Sequence, residues 1–317
     1  MRMRMKIRIL LGATWLVAHA AALAAPFAYV PNEGSGTVSV IDTATDKVVA
    51  EIAAGVKPRG TAISLDGSKA YVSDQPNNQL VVLDLVQRKP AGVIALGESP
   101  EGVGISPDGR WVAAAVEESN DIAFVDTLTS KLAFVVKVRG KNPEHAVFSP
   151  DGRLLFVSAE EGNAVDIIDV AARRQLAQVT VGARPRGIGF SPDGKRAYVA
   201  AETSSELYVI DTAAFSVLAK SPVGPRSNGI VVHPDGKRIF VSNGGDATVS
   251  VVDAQSLAVI ATVGVGQRPW NMALTPDGKK LYVACGRSGT VSVIDVERAL
   301  KVADVPVGKL PWGVVIR

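Results

Sequence analysis

The sequence predicts an all-β fold, a seven-bladed β-propeller, and three observations carry that expectation. The segment Thr-Val-Ser-Val-Ile-Asp, ending at Asp42, returns in variant form six more times. Its terminal aspartates are Asp42, Asp84, Asp126, Asp169, Asp211, Asp253 and Asp295, at steps of 42, 42, 43, 42, 42 and 42 residues. A second anchor keeps the same beat: Leu65-Asp66-Gly67, then Pro-Asp-Gly from Pro107, Pro150, Pro192, Pro234 and Pro276. A period near 40 built from short β segments marks a propeller or an array. Third, the two ends of the chain complete each other, which selects the closed ring.

One unit shows why each element forms. Gly187-Ile-Gly-Phe-Ser191 is a short apolar run and reads as strand a. Ser191-Pro-Asp-Gly194 is a type I turn, because proline presets φ at the second position and glycine accepts a left-handed conformation at the fourth. Arg196 to Ala200 reads as strand b, Glu202 to Ser205 as a polar loop, Leu207 to Asp211 as strand c and Val217 to Val223 as strand d. Nothing in the unit holds a helical period over a useful length. Both faces of such a four-stranded meander are apolar, so it needs neighbours on both sides.

Residues 26–317 number 292, against 294 for seven units of 42. The repeating part opens at a strand b, Phe27-Ala-Tyr-Val30, and stops at Pro311-Trp-Gly-Val-Val-Ile-Arg317, which matches strand a. The last strand is expected to complete the first sheet. An open array would instead want polar capping repeats, and neither end has that character.

Residues 1–25 read as a secretory signal peptide, removed in the mature protein. Arg2, Arg4, Lys6 and Arg8 form a basic start, an apolar run follows from Ile9 to Leu23, and Ala22-Leu23-Ala24 is a small-x-small cleavage site. The expected location is outside the cytoplasm, the periplasm for a bacterial chain, with no membrane span. The chain has 34 basic and 31 acidic residues. Without the leader the balance is 30 against 31, a net of −1. That balance argues against a global pull toward nucleic acid or anionic lipid. The single cysteine, Cys285, rules out an internal disulfide and reads as a small half-buried filler at the end of a strand b.

The repeat phrases Ala70-Tyr-Val-Ser73, Thr290-Val-Ser-Val-Ile-Asp295 and Ser191-Pro-Asp-Gly194 resemble the YVTN-repeat (YncE-like) β-propeller family over essentially all of 26–317. Gly266-Gln-Arg-Pro-Trp270, Leu281-Tyr282 and Val307-Gly-Lys-Leu-Pro-Trp-Gly313 are similar to the propeller subgroup associated with PQQ-dependent alcohol catabolism. That resemblance implies a companion of a periplasmic quinoprotein dehydrogenase system with no established reaction of its own; no cofactor is expected, and a closed ring of blades, which needs no partner to fold, is expected as a monomer.

Residues repeated in every unit read as structural. The seven aspartates after strand c, and the aspartate of each Pro-Asp-Gly turn, are expected to accept hydrogen bonds from turn amides. Chemistry is sought where register is kept and residue type changes. Strand a begins Pro-x-Gly, and x reads Arg59, Glu101, Glu144, Arg186, Asn228, Trp270 and Trp312. The next position is glycine except at His145 and Asn271. With strand a innermost, these side chains ring one mouth of the central channel.

This ring has two consecutive carboxylates flanked by arginines, and two consecutive tryptophans. Two readings stay open. Glu101 and Glu144 pair with Arg59 and Arg186 while the indoles plug the channel; or the mouth holds a small ligand or a partner, with arginine taking an anionic group and indole a planar face. The loop after strand b adds Glu33, Gln75, Glu117, Glu160 and Glu202, and the d–a loops add Lys57, Lys141, Arg184, Arg226 and Arg268. These read as a solvated rim, or else as a docking surface.

Other chemistry is poorly supplied. His233 replaces a turn serine, so His145 is the only histidine expected in the channel. One histidine and one cysteine do not make an ordinary zinc or copper site. Glu101, Glu144 and His145 are the only candidate acid–base or metal-binding group. A lactonase or lyase remains the enzymatic alternative. Single-stranded DNA binding is a third reading, with Arg59, Arg186, Trp270 and Trp312 as charge and stacking surfaces.

Overall fold

The computed structural model describes residues 26–317 as seven four-stranded antiparallel sheets. The proposed signal peptide lies outside the described residues. Six sheets run a-b-c-d in chain order. The seventh, blade one, joins the C-terminal strand Val315–Ile316 to Phe27–Asn32, Thr37–Asp42 and Lys47–Ala53. Ile316 pairs with Ala28 and Val315 with Tyr29, and Asn32 bridges Pro311. The ring is therefore closed by the tail of the chain, as the matching ends require.

The unit used above folds as read, within a residue or so. Strands a to d of blade five are Pro185–Phe190, Arg196–Ala201, Glu206–Asp211 and Ser216–Pro222. Strand d is mostly exposed, strand b is almost wholly buried and strand c is buried or half-buried throughout, so d lies outside and a lines the axis. The only helical element among the described residues is one 3-10 turn, Gln75–Asn77. None of the described helices is long and apolar enough to cross a membrane.

The turn chemistry holds in every blade. Asp42, Asp84, Asp126, Asp169, Asp211, Asp253 and Asp295 each accept from a backbone N–H two or three residues on. Asp66, Asp108, Asp151, Asp193, Asp235 and Asp277 do the same two residues on. The glycines that close these turns, such as Gly109 and Gly194, have φ near +70°, which a side chain resists. At His233 the imidazole stands where the other turns have a hydroxyl, with Nδ1 2.7 Å from Asp235 Oδ1.

The core is a chain of seven apolar clusters, one between each pair of adjacent blades. Between blades three and four, Phe124 stacks on Phe134 at 4.5 Å and meets Phe148 edge-on. The closing interface is tied further by Lys280 Nζ, 2.8 Å from Asp46 Oδ2, and by the Tyr282 hydroxyl, which donates to Asp46. Cys285 is fully buried rather than half-buried. Its sulfur packs between strand c and Gly266, and burial pushes its thiol pKa up.

Candidate functional site at the channel mouth

A bulge at the head of strand a builds the site. In blade two Pro58 pairs with Asp74 and Thr61 with Val72, so Arg59 and Gly60 together oppose Ser73. The same interruption recurs at the head of strand a in blades three to seven. An extra residue bends a strand and re-aims its side chain, and here the re-aimed residue is the variable x. Serine on strand b supports it. Ser73 Oγ donates to the Glu101 carbonyl at 2.7 Å, and Ser242 Oγ accepts from Gly229 N at 2.8 Å. The glycine after x is forced by the next blade: a Cβ on Gly60 would sit 2.2 Å from the Glu101 carbonyl oxygen, and one on Gly187 2.5 Å from that of Asn228.

His145 and Asn271 escape that rule and turn toward each other. His145 Nε2 lies 3.3 Å from Asn271 Oδ1, and its ring stacks on Trp312 with centroids 5.4 Å apart and planes 18° apart. Burial and the nearby Arg186 charge hold the imidazole pKa down to about 4, so it is neutral at ordinary pH.

Arg59 and Arg186 reach the two carboxyl groups of the ring. Glu101 is fully buried; its Oε1 accepts from Arg59 and from Gln75 Nε2 at 2.8 Å, while Oε2 has no partner. Arg59 favours its charge, but burial and the Glu144 carboxylate prevail and push it up to about 8. Arg186 Nη1 binds Glu144 at 2.6 Å and Glu160 at 2.7 Å, and Arg186 Nε binds Glu202 at 3.0 Å.

The expected solvated rim is only half right. Lys57 and Lys141 are exposed, and Lys141 stands one place before Asn142, the true counterpart of Arg184. Arg184, Arg226 and Arg268 instead turn inward onto Glu202, whose side chain is 1% exposed. Burial opposes ionisation of Glu202, yet Arg186, Arg268 and Arg184 outweigh it and lower its pKa. Glu33 likewise reaches in to Arg59 at 3.2 Å. Long side chains from loops thus complete a site whose base comes from strand a.

Between these groups lies a cavity of about 200 Å³, lined by Arg59, Glu117, Glu144, Glu160, Arg184, Arg186, Asn228, Arg268, Trp270, Asn271 and Trp312. Of the ring residues singled out in the sequence, all but Glu101 and His145 line it. Glu101 is hidden behind Arg59, and His145 faces a second cavity deeper along the axis. The carboxylates that approach metal-binding geometry are Glu117, Glu144 and Glu160, not Glu101, Glu144 and His145. Arg186 already neutralises two of the three.

Comparisons with known proteins agree on the architecture. Residues 171–302, from the end of blade four through blade seven, match the family described as "Lactonase, 7-bladed beta-propeller". Across about 90% of its length the chain resembles several solved structures. One is hydrazine synthase of Kuenenia stuttgartiensis (24% identity, 89% of this chain and 99% of that one, TM-score 0.78). A functionally unknown protein from Desulfotomaculum acetoxidans gives 21%, 92%, 98% and 0.82. A "putative 6-phosphogluconolactonase" from Bacteroides uniformis gives 21%, 92%, 99% and 0.77. No curated protein sequence matches the chain. At these identities the likeness concerns the fold. The matched segment carries Arg186, Glu202, Arg268 and Trp270, while Glu101, Glu144 and His145 fall outside it.

Proposed function

We propose that this is a non-enzymatic binding propeller that takes a small planar acid at the a-strand mouth. One observation carries the reading: the ion pairs expected of a purely structural ring are present, yet they leave a cavity walled by the very positions at which otherwise equal blades differ. Arg226 and Arg268 pair only with one buried carboxylate, Glu202, which Arg184 and Arg186 also approach while pairing with Glu160. That leaves this side of the mouth suited to an anionic group. Trp270 and Trp312 supply a planar face, with the Arg268 guanidinium 5.9 Å from the Trp270 ring. Arg59 and Arg186 are committed to carboxylates, which weighs against a nucleic-acid groove.

The leader-like residues 1–25 and the C-terminal Arg-Pro-Trp and Leu-Pro-Trp-Gly phrases extend the reading: an exported, YVTN-type protein serving beside a quinoprotein alcohol-oxidising system. A deletion strain should grow poorly on alcohols as carbon source; growth equal to the parent would end that extension.

Lactone hydrolysis is the second reading, favoured by the family match over 171–302. It is tested by assaying lactone opening with and without divalent metal. The binding reading expects no turnover in either case.

A further inference from the structure

The charges around the mouth pair off unevenly. Arg59 meets Glu33, Arg186 meets Glu144 and Arg184 meets Glu160. Arg186 reaches on to Glu160 and Glu202, which does not change the count. Burial and the Glu144 charge push the Glu101 carboxyl up to about 8, so it is uncharged at neutral pH. Two remainders are left, one of each sign. Arg226 and Arg268 pair only with Glu202, so two guanidiniums fall to one carboxylate. Half-buried Glu117 has no ion-pair partner among the described residues. Its side chain accepts one hydrogen bond, from Ser99 Oγ at 2.9 Å.

The remainders lie on opposite walls of one cavity. Glu117 follows strand b of blade three, Trp111–Val116, and Arg268 precedes strand a of blade seven, Pro269–Leu274. In a ring of seven, blades three and four stand across the axis from blade seven. The contact of His145 with Asn271 at 3.3 Å shows how near those walls come. Glu117 and Arg268 both line the mouth cavity, together with Trp270 and Trp312. On the acidic wall, Glu117, Glu144 and Glu160 present oxygens all within 4.8 Å of one another. Burial and the Glu144 charge push the Glu160 carboxyl up even beside Arg186 and Arg184, the sign of too little positive charge there. A divalent ion would compete with Arg186, which already binds two of the three carboxyl groups; an ammonium on Glu117 would not. Opposite charges held apart in a partly dehydrated cavity attract a ligand of the reverse polarity.

We infer that the acid taken at the mouth is a small zwitterion: its carboxylate on Arg268, its ring on Trp270 and Trp312, and a protonated amine at its other end on Glu117. This deepens the mouth reading and rests on it. The size agrees. A cavity of about 150 Å³ holds benzene, so about 200 Å³ takes one ring with two short polar arms.

The test is calorimetric titration of the purified protein at neutral pH with 3-(aminomethyl)benzoate, 3-(hydroxymethyl)benzoate and benzylamine. The first carries both charges on one ring; the others each lack one. It should bind about tenfold more tightly than either, the difference of one charge-assisted hydrogen bond. Glu117→Gln keeps the side-chain shape and should bring the zwitterion down to the level of the hydroxymethyl compound, with melting temperature as the check that the variant folds. The comparison on the unaltered protein stands whether or not it does. Equal binding of the aminomethyl and hydroxymethyl compounds overturns the inference and leaves the acid reading standing. A preference that survives Glu117→Gln overturns the placement of the amine. Benzylamine binding as well as the zwitterion, or no binding by any of the three, overturns the inference and the acid reading together.

Discussion

His145 Nε2 and Asn271 Oδ1 meet at 3.3 Å across the channel, joining blade four to blade seven at the two positions where the glycine rule is broken. The contact divides a polar mouth from an apolar chamber. Replacing either residue with alanine should cost stability, and the double variant should cost less than the sum. A coupling of about 0.5–1.5 kcal/mol is expected from one hydrogen bond. Urea denaturation of the two single variants and the double variant measures it; strict additivity would show that the contact does not couple the blades.

Glu202 accepts from the guanidiniums of Arg186, Arg226 and Arg268, with Arg184 Nε 3.4 Å away, in a nearly closed environment. Glu202→Gln should destabilise by about 2–3 kcal/mol, below the value of a fully buried pair because Arg184 and Arg226 reach solvent. The midpoint of urea unfolding reports this. An unchanged midpoint would mean that the cluster is held by solvent screening instead.

Two groups shape the pH profile in opposite directions. His145, ordinarily near 6.5, is held down to about 4, so its stabilising contribution is complete above 6.5 and lost as pH falls toward 4. Glu101, ordinarily near 4.5, is pushed up to about 8, so its contribution is complete below 4.5 and lost as pH rises through 8. Between 4.5 and 6.5 the slopes cancel, and a stability plateau is expected there. Glu101→Gln should reduce the alkaline loss between pH 6.5 and 8 by about 2 kcal/mol. Unfolding across that range checks it, and an unchanged alkaline limb contradicts the assignment.

Ring closure rests partly on the Tyr282 hydroxyl donating to Asp46 between blades seven and one. Tyr282→Phe should cost about 1–2 kcal/mol and raise amide exchange in Val315 and Ile316 before other strands. Exchange unchanged at the C-terminal strand would mean that closure is independent of this bond.

The fold was legible because it is written seven times. Each Pro-Asp-Gly and each Asp after strand c does one turn's work, so repetition separates structure from specialisation. The ring of Arg59, Glu101, Glu144, Arg186, Asn228, Trp270 and Trp312 was legible for the converse reason. Depth was not. Glu202 looks like any loop glutamate until four arginines from its own blade and the two that follow close over it, and those contacts depend on how long side chains fold inward. The bulge that re-aims x leaves no mark beyond Pro-x-Gly. The inner chamber arises from Val103, Val147 and Val314, ordinary strand residues whose shared void appears only when the ring closes.

Binding of a planar acid at the mouth is the central claim, and the indole N–H resonances of Trp270 and Trp312 test it most directly. Trp111 does not line the mouth cavity and serves as an internal control. Titration with isophthalate should move the Trp270 and Trp312 signals, leave Trp111 in place, and weaken about tenfold in Arg268→Ala, the loss of one charge-assisted hydrogen bond. Indole signals that stay fixed at millimolar isophthalate, or a response that survives Arg268→Ala undiminished, would contradict the account.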